Sequence, residues 1–254
     1  MNQYLKNLDR IEFVVTMACT GRCRHCSEGD HTSHTEHIDS AIAAESIRNI
    51  CDHFSIKSLM TFGGEPLLYP DTVCAIHRTA AEAGIGRRQL ITNGYFSKEH
   101  EKIEKAARNL ADSGVNDLLL SVDAFHQETI PLAAVKYFAE CALMSGLPVR
   151  LSPAWLVSPE DENPYNIRTR AVIREFEPLH IPVGSGNVVF PSGNALKYLR
   201  EYFDENTVES SPYDEDPADI RTISFSANGD VLNGNIYETD ILSIIRMYRP
   251  PDLS

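Results

Sequence analysis

Three cysteines lie close together near the amino terminus, within the eight-residue stretch CTGRCRHC. They are Cys19, Cys23 and Cys26, so the chain between them is only three and then two residues long. Thiols this close in sequence are typical of a metal or iron–sulfur site, because one short loop can direct them at a single centre. A cubane iron–sulfur cluster normally takes four thiolates, so three on one loop would leave one iron open to another ligand.

The same loop leaves a zinc site open as an alternative. Structural zinc normally takes four protein ligands, and a histidine can replace one cysteine. The segment SEGDHTSHTEH, which follows Cys26, contains His31, His34 and His37. The cysteines alone therefore do not decide between zinc and an iron–sulfur cluster.

A second candidate motif is FGGEP, at residues 62–66. Two adjacent glycines let the backbone approach a ligand closely, and their carbonyl groups can accept hydrogen bonds from an ammonium group. The carboxylate of Glu65 can pair with a positive charge, and Pro66 restricts the turn. A Gly-Gly-x-Pro sequence by itself is often only a turn, so its significance depends on its position relative to the cysteine loop.

The elements that would position these motifs alternate between strand and helix patterns. Strands are predicted at 11–17, 57–62, 87–93, 116–124, 148–156 and 181–190, and helices at 40–54, 72–84, 97–114, 129–146 and 166–178. This rhythm of about six β/α units predicts an α/β fold with a parallel sheet. Right-handed crossovers could curl such a sheet into an open barrel.

The candidate chemical residues fall at the carboxyl ends of successive predicted strands. The cysteine loop follows the first strand and FGGEP the second, whereas TNG (92–94) follows the third and SVDA (121–124) ends the fourth. In a parallel sheet these ends share one edge, where α/β folds carry their reactive loops. One mouth of the sheet is therefore expected to collect three thiols, a carboxylate and several small polar groups.

The composition argues against several classes of protein. The net charge of −13 leaves no basic surplus to neutralise phosphates, so we expect no nucleic-acid partner. The start, MNQYLKNLDR, lacks the apolar run of a signal peptide, and no stretch is long and apolar enough to span a membrane. A cytoplasmic location with no membrane association follows as the expectation, and in the cytosol cysteines are usually thiols or metal ligands.

Together, CTGRCRHC and GGEP resemble the two signature motifs of the radical S-adenosylmethionine (SAM) superfamily, over roughly residues 11–190. The resemblance implies a partial, TIM-like (β/α)6 barrel that holds one [4Fe–4S] cluster on Cys19, Cys23 and Cys26. The fourth iron would chelate the amino and carboxylate groups of SAM. An electron from a donor such as flavodoxin or ferredoxin would cleave SAM to methionine and a 5′-deoxyadenosyl radical, which abstracts hydrogen from a substrate.

The resemblance also implies which residues bind SAM. Phe62, Gly63, Gly64 and Glu65 would receive the methionine amine, and His25 stands where the family usually has an aromatic residue. Thr92 and Asn93 would lie near SAM, Ser121 and Asp123 would contact its ribose or carboxylate, and Arg150 would pair with its carboxylate. Structural roles stay open for these residues: turn caps, buried polar partners and an ordinary ion pair. His126 is a candidate lining residue, and no catalytic acid, base or hydrogen donor is assigned.

The chain after the expected barrel is a shorter extension. We expect residues 1–190 to form the barrel, and 191–254 to form an acidic loop, a β-hairpin and a terminal helix. The acidic loop is either a solvated face or a lid over the barrel. Residues 223–244 resemble the hairpin (SPASM or twitch) of relatives that modify peptides, with NGD as its tight turn. No cysteine follows Cys141, so auxiliary clusters are not expected.

The substrate is predicted only as a class. The hairpin favours a peptide or protein, as in the modification of ribosomally made peptides, over a small metabolite. Only about ten residues precede the first predicted strand, so a peptide would be recognised by the barrel mouth or by a separate peptide-recognition protein. The alternative function is a non-catalytic α/β module that binds zinc or an iron–sulfur cluster.

Overall fold

The structure is a computed structural model that describes residues 2–29, 31, 35–204 and 215–251. Its strands are β1 Arg10–Thr16, β2 Ser58–Gly63, β3 Arg87–Thr92, β4 Asp117–Leu120, β5 Val149–Leu151, β6 Ala154–Trp155, β7 Asn187–Val188, β8 Thr222–Phe225, β9 Asp230–Val231 and β10 Gly234–Asn235. Six of them form one sheet in the order β5-β4-β3-β2-β1-β8. Every neighbouring pair in this sheet is parallel, which confirms the predicted α/β class.

Helices connect the parallel strands and cover one face of the sheet. They are α1 Ser40–Cys51, α2 Pro70–Glu82, α3 His100–Asp112, α4 Leu132–Met144, α5 Pro164–Arg174, α6 Gly193–Tyr198 and α7 Ile241–Met247. The Asp39 side chain begins α1 by accepting hydrogen bonds from the Ala41 and Ile42 amides. The crossovers carry each strand back to the same edge, so all the carboxyl ends of β1 to β4 open on one side.

The two faces of the sheet differ in chemistry because side chains alternate along each strand. Leu118 and Leu120 of β4 are fully buried in a core that includes residues of α3 and α4. Asp117, at the start of β4, instead accepts hydrogen bonds from Arg150 of β5 and Gln89 of β3. The face away from the helices therefore carries an ion-paired polar network near the amino ends of the strands.

The last two barrel strands are shorter than the sequence predicts. The predicted strand at 148–156 divides into β5 and β6, with Pro153 between them, because proline has no amide hydrogen for the ladder. The predicted strand at 181–190 is reduced to β7, which pairs in parallel with β6, and a bridge from Val183 to Leu151. Gly186 has φ +70° there, a conformation that leaves the extended strand.

The carboxyl-terminal region contributes to the main sheet. β8 lies beside β1 in parallel, and the short antiparallel pair β9–β10 follows it before α7. The first strand of the expected hairpin is therefore a sheet strand, whereas the hairpin itself is β9–β10. Most of the acidic part of the expected loop, residues 205–214, lies outside the described residues. No helix in the described part of the chain is long and apolar enough to cross a membrane.

Candidate functional site

The carboxyl ends of β1 to β4 meet through hydrogen bonds between their loops. The Gly64 amide donates to the Thr16 carbonyl, and the Glu65 amide donates to the Ala18 carbonyl, both at 2.8 Å. The Ser121 amide donates to the Thr92 carbonyl at 2.9 Å. The cysteine loop, the GGEP turn and the ends of β3 and β4 therefore form one connected edge, as the strand order requires.

Two thiols of the cysteine loop, those of Cys19 and Cys23, lie close to Gly21, and Cys26 packs against the small core that contains Cys23. A Cβ atom at Gly21 would lie 3.3 Å from the Cys23 sulfur and 3.7 Å from the Cys19 sulfur. The Gly21 amide points at the Cys19 sulfur, with 3.3 Å between nitrogen and sulfur. Cys23 is buried, Cys19 and Cys26 are half-buried, and all three are free thiols.

The thiols lie in surroundings that disfavour a bare thiolate. Burial raises the pKa of Cys19 to about 11, and burial also raises the pKa values of Cys23 and Cys26. A bound cation would reverse this, because a coordinating thiol is deprotonated outright. Three soft sulfur donors on one loop, with an amide hydrogen directed at one of them, fit a metal centre that prefers thiolates.

The two glycines of GGEP are required by the backbone beside them. A Cβ atom on Gly63 would lie 2.3 Å from the Thr16 carbonyl oxygen, and one on Gly64 would lie 2.2 Å from the Ala18 carbonyl oxygen. Real Cβ atoms do not approach so closely, so only glycine lets the end of β2 pack against the start of the cysteine loop. Phe62 precedes them on β2, half-buried and in register with Val14.

The side chain of Glu65 ties the end of β2 to the end of β3. It is fully buried, and one carboxylate oxygen accepts from the Leu67 amide at 2.9 Å and the Thr92 hydroxyl at 2.7 Å. The other oxygen accepts from the Asn93 amide at 2.8 Å. Burial outweighs these hydrogen bonds and raises the pKa of Glu65 to about 7. The Glu65 carboxylate thus holds the ends of β2 and β3 together, and it is also the predicted partner of an amine.

The end of β3 reaches the cysteine loop through Asn93. Its Nδ2 atom lies 3.6 Å from the Cys19 sulfur and 3.2 Å from the Thr20 hydroxyl oxygen. Its Oδ1 atom accepts from the Tyr95 amide at 2.8 Å, which fixes the orientation of the amide group. Asn93 therefore directs a second hydrogen-bond donor at Cys19.

The end of β4 carries a buried carboxylate–imidazole pair, Asp123 and His126. One oxygen of Asp123 accepts from the Phe125 and His126 amides, and the other lies 2.8 Å from His126 Nδ1. Burial opposes ionisation of Asp123, but the charge and hydrogen bonds of His126 outweigh it and hold the pKa of Asp123 well below its usual range. Asp123 thus orients the imidazole, rather than lying free to contact a ribose.

The pair faces the cysteine loop. A ring nitrogen of His126, a ring nitrogen of His25 and the Cys23 sulfur lie within 4.8 Å of one another. His25 packs with its ring centroid 4.8 Å from that of Phe125, and its buried Nδ1 atom has no hydrogen-bond partner among the described residues. The sequence analysis considered Asp123 and His126 separately and did not predict their contact. Their D-x-x-H spacing across a turn is the signal from which the pair could have been predicted.

One predicted residue, Arg150, lies away from the others. Arg150 pairs with Asp117, with 2.7 Å between Nε and Oδ1, at the opposite end of β4 from residues 121–123. The structure therefore does not bring Arg150 to this edge. Ser121 does lie there and is buried.

The histidines of the zinc alternative are divided. His31 Nε2 lies 3.0 Å from the Cys26 sulfur, and its Nδ1 lies 2.6 Å from the Met17 carbonyl oxygen. His37 stacks on Tyr69 with ring centroids 3.9 Å apart. His34 lies outside the described residues.

Comparison with known proteins decides the class of this site. The profile of the Radical SAM superfamily matches residues 13–145, just over half of the 254 residues. This chain belongs to the radical SAM superfamily. It is accordingly an enzyme of that class whose cofactors are a [4Fe–4S] cluster and SAM, and such enzymes take a reductant and a substrate.

Two curated relatives each match about half of the chain. A GTP 3′,8-cyclase of Chlorobaculum tepidum is 24% identical over 127 residues, which cover 50% of this chain and 36% of that protein. A probable GTP 3′,8-cyclase of Methanocaldococcus jannaschii is 26% identical over 127 residues, covering 50% of this chain and 40% of that protein. The matched region is thus well under half of these curated relatives.

Solved structures match almost the whole chain. Streptococcus suis SuiB bound to S-adenosylmethionine aligns with a TM-score of 0.57 and 14% identity, over 96% of this chain and 67% of that one. The enzyme anSMEcpe with bound AdoMet aligns with a TM-score of 0.60 and 12% identity, over 96% of this chain and 81% of that one. At such low identity the likeness shows the fold, and it confirms the predicted partial TIM-like barrel.

Proposed function

We propose that Cys19, Cys23 and Cys26 hold the [4Fe–4S] cluster, and that this chain uses the bound SAM to abstract hydrogen from a peptide or protein. The observation that supports the first part is a set of three free thiols on one short loop, with the sulfurs of Cys19 and Cys23 both close to Gly21. When bound, the cluster and SAM supply reductive cleavage of the sulfonium to methionine and a 5′-deoxyadenosyl radical.

The residues of the chain prepare this centre. The Gly21 amide and the Asn93 side-chain amide direct hydrogen-bond donors at the Cys19 sulfur, at 3.3 Å and 3.6 Å. Such donors stabilise a sulfur that carries negative charge. Burial of Cys23 limits the access of water to the loop, which a site for radical chemistry requires.

The SAM contacts are proposed for groups on the same edge. Residues 62–65 would receive the amine, while Thr92 and Ser121 lie beside them at the ends of β3 and β4. His25 offers a half-buried ring beside Phe125 that could pack against a flat base. Arg150 is left out of this set, because its guanidinium pairs with Asp117.

A peptide or protein is the proposed substrate class. SuiB bound to the precursor peptide SuiA aligns with 96% of this chain at a TM-score of 0.57, and anSMEcpe bound to the Cp18Cys peptide aligns with 94% at 0.58. Both alignments extend over more of this chain than the 50% that the two cyclases described above cover. The main sheet ends at β5 and β8 without closing into a full barrel, which would leave room for an extended chain.

A small molecule is the second candidate, for a specific reason. The curated relatives are named GTP 3′,8-cyclases, and BtrN in complex with AdoMet and 2-DOIA aligns with a TM-score of 0.52.

A flavodoxin or ferredoxin as electron donor, a separate peptide-recognition protein, and the cytoplasmic location stay predictions. The division into a barrel and an extension at residue 190 stays a prediction as well.

Anaerobic reconstitution tests the cluster assignment. We expect about four irons and four sulfides per chain, and reductive formation of 5′-deoxyadenosine from SAM. Cys23→Ala should abolish both. Cys51→Ala, which removes a half-buried thiol at the end of α1, is the matched control and should change neither. Zinc without sulfide in the wild-type protein would establish the non-catalytic alternative, for which the Cys23, His25 and His126 group offers ligands.

The substrate class is tested with the same reconstituted enzyme. Short peptides encoded beside its gene should increase the rate of 5′-deoxyadenosine formation and change in mass, and GTP should do neither. Consumption of GTP coupled to 5′-deoxyadenosine formation would instead contradict the peptide proposal while leaving the cluster assignment intact.

A further inference from the structure

We propose that the SGN segment, residues 192–194 at the start of α6, is a clamp that positions Cys23 and Cys26 for cluster binding. The proposal rests on the assignment of these cysteines as cluster ligands. The segment lies far away in the sequence, and no motif of the cysteine loop predicts it. It acts through the backbone of the loop, so its residues are positioning residues rather than ligands.

Hydrogen bonds join the SGN segment to four carbonyl groups of the cysteine loop. The Asn194 amide donates to the Cys26 carbonyl at 2.9 Å. The Asn194 side chain donates to the Cys23 and Gly29 carbonyls, each at 3.2 Å. The Ser192 hydroxyl donates to the Ser27 carbonyl at 3.1 Å. Two of the three proposed ligands therefore have their own carbonyl groups held by Asn194.

Gly193 makes this approach possible. A Cβ atom there would lie 2.3 Å from the Ser27 carbonyl oxygen and 2.8 Å from the Cys26 carbonyl oxygen. Both obstacles are backbone atoms, so they could not move without moving the cysteine loop. The φ of Gly193 is +50°, in the region that glycine adopts most easily. Glycine is thus needed here for close contact as well as for conformation.

Apolar side chains also pack between the SGN segment with its helix and the cysteine loop. Ala195 and Leu199 are fully buried and share a small core with Cys23 and Phe125, against which Cys26 also packs. The helix that begins at Gly193 therefore covers the loop on the side of Cys23 and Cys26. Solvent exposure and hydrogen bonding are two of the factors that set the potential of an iron–sulfur cluster.

The loop needs external support on this side. Its internal backbone bonds are long: the Cys26 amide to the Cys23 carbonyl at 3.3 Å, and the Gly29 amide to the Cys26 carbonyl at 3.4 Å. Asn93 already holds the other end, at Cys19. The loop is therefore held between two asparagines, one from β3 and one from the SGN segment. A substitution that weakens either asparagine's contact with the loop should make the positions of the cysteine sulfurs less well defined.

Two matched pairs of variants test the clamp in the reconstituted full-length protein. Gly193→Ala places a Cβ against the loop, whereas Gly146→Ala alters a glycine with φ +78° and no heavy atom within 4 Å of the new Cβ. Asn194→Ala removes the donors to Cys23 and Gly29, whereas Asn7→Ala removes one exposed hydrogen bond to Asp219. Circular dichroism checks folding, and if Gly193→Ala fails to fold, Asn194→Ala decides.

The measurements are the rate of iron loss to a chelator, and the electron paramagnetic resonance spectrum and midpoint potential of the cluster. We expect Gly193→Ala and Asn194→Ala to lose iron about tenfold faster than wild type, with an altered spectrum and potential, as for other residues that orient metal ligands. Both control variants should match wild type. If the wild-type protein holds its cluster and both clamp variants match it in all three measurements, the clamp is wrong and the ligand assignment survives. If the wild-type protein holds no cluster, both proposals fall.

Discussion

At the scale of single residues, the site depends on close approaches that only certain side chains allow. The thiols of Cys19 and Cys23 would be poor thiolates in their buried surroundings unless a cation joined them. The carboxylates Glu65 and Asp123 lie fully buried beyond the ends of β2 and β4 and bind backbone amides rather than solvent. These groups shape the edge before any cofactor is bound.

Gly64→Ala tests the close approach of the GGEP turn to the cysteine loop. The new Cβ would meet the Ala18 and Met17 carbonyl oxygens at 2.2 Å and 2.7 Å, so the backbone must shift. We expect a loss of about 1–3 kcal/mol in the free energy of unfolding, typical of overpacking, together with a lower iron content. Urea denaturation and iron analysis measure the two effects.

The control for that substitution is Gly86→Ala. Its new Cβ would meet only the Lys57 carbonyl oxygen, at 3.9 Å, which is ordinary contact. It should leave iron content at the wild-type level. Equal effects of the two substitutions would show that the close approach at Gly64 is unimportant.

His77 predicts a specific dependence of stability on pH. It is fully buried on α2, its Nε2 lies 2.9 Å from the Thr61 hydroxyl oxygen, and burial lowers its pKa from 6.5 to about 3. Between these values the unfolded chain binds a proton that the folded chain does not. The contribution of His77 is therefore fully present above pH 6.5 and is lost progressively as the pH falls towards about 3.

A double variant, Thr61→Val with His77→Leu, isolates this effect. Removing both partners avoids leaving one buried polar group unpaired. In urea denaturation of the apo-protein, the stability of the variant relative to wild type should rise as the pH is lowered from about 7 to about 5. A difference that stays constant over that range would show that His77 does not titrate as its burial requires.

Some of these residues could be predicted from sequence and others could not. The cysteines and the GGEP turn are recognisable by residue type and local spacing alone. The contact between Asn194 and Cys23 joins residues 171 positions apart, so no local pattern reports it. The resemblance implies that Arg150 pairs with SAM, but the orientation of its side chain depends on Asp117, which the sequence pattern does not identify as its partner.

At the scale of elements, the alternating pattern predicted the first three strands and the first four helices closely, whereas the fourth strand, predicted at 116–124, ends at Leu120. The strand order follows from parallel crossovers and places the reactive loops on one edge. The pattern failed where backbone chemistry interrupts an apolar run, as at Pro153 between β5 and β6. It also treated residues 223–226 as part of a separate hairpin, whereas β8 extends the central sheet beside β1.

Phe225→Ala tests whether β8 is integral to the sheet. Phe225 is fully buried and stacks on Phe13 of β1, with ring centroids 4.6 Å apart and an interplanar angle of 13°. We expect a loss of about 3–5 kcal/mol in the free energy of unfolding, as for other buried phenylalanines. A single unfolding transition should shift as a whole, because β1 and β8 share one core.

Met247→Ala on α7 is the control, because this side chain is largely exposed and should contribute little. A Phe225→Ala protein with wild-type stability would show that β8 can detach without lowering the stability of the barrel. Two separate transitions would point to an independent carboxyl-terminal unit.

At the scale of the whole molecule, the sheet is an open, partial barrel whose reactive edge is closed by parts of the chain from both ends. The cysteine loop follows the first strand, and the SGN segment returns to it after the last β/α unit. This arrangement couples the centre to the part of the chain beyond β7. The family could be predicted from two short motifs, whereas the substrate depends on surfaces that those motifs do not describe.

The most direct test of the account is the electron paramagnetic resonance spectrum of the reduced, reconstituted protein, recorded with and without SAM. We expect the signal of a reduced [4Fe–4S] cluster that changes when SAM is added, because three cysteines leave one iron open to the nucleotide. The change should be absent when any of Cys19, Cys23 or Cys26 is replaced by alanine. A protein that binds zinc without sulfide, or a cluster whose spectrum is the same with and without SAM, would contradict it.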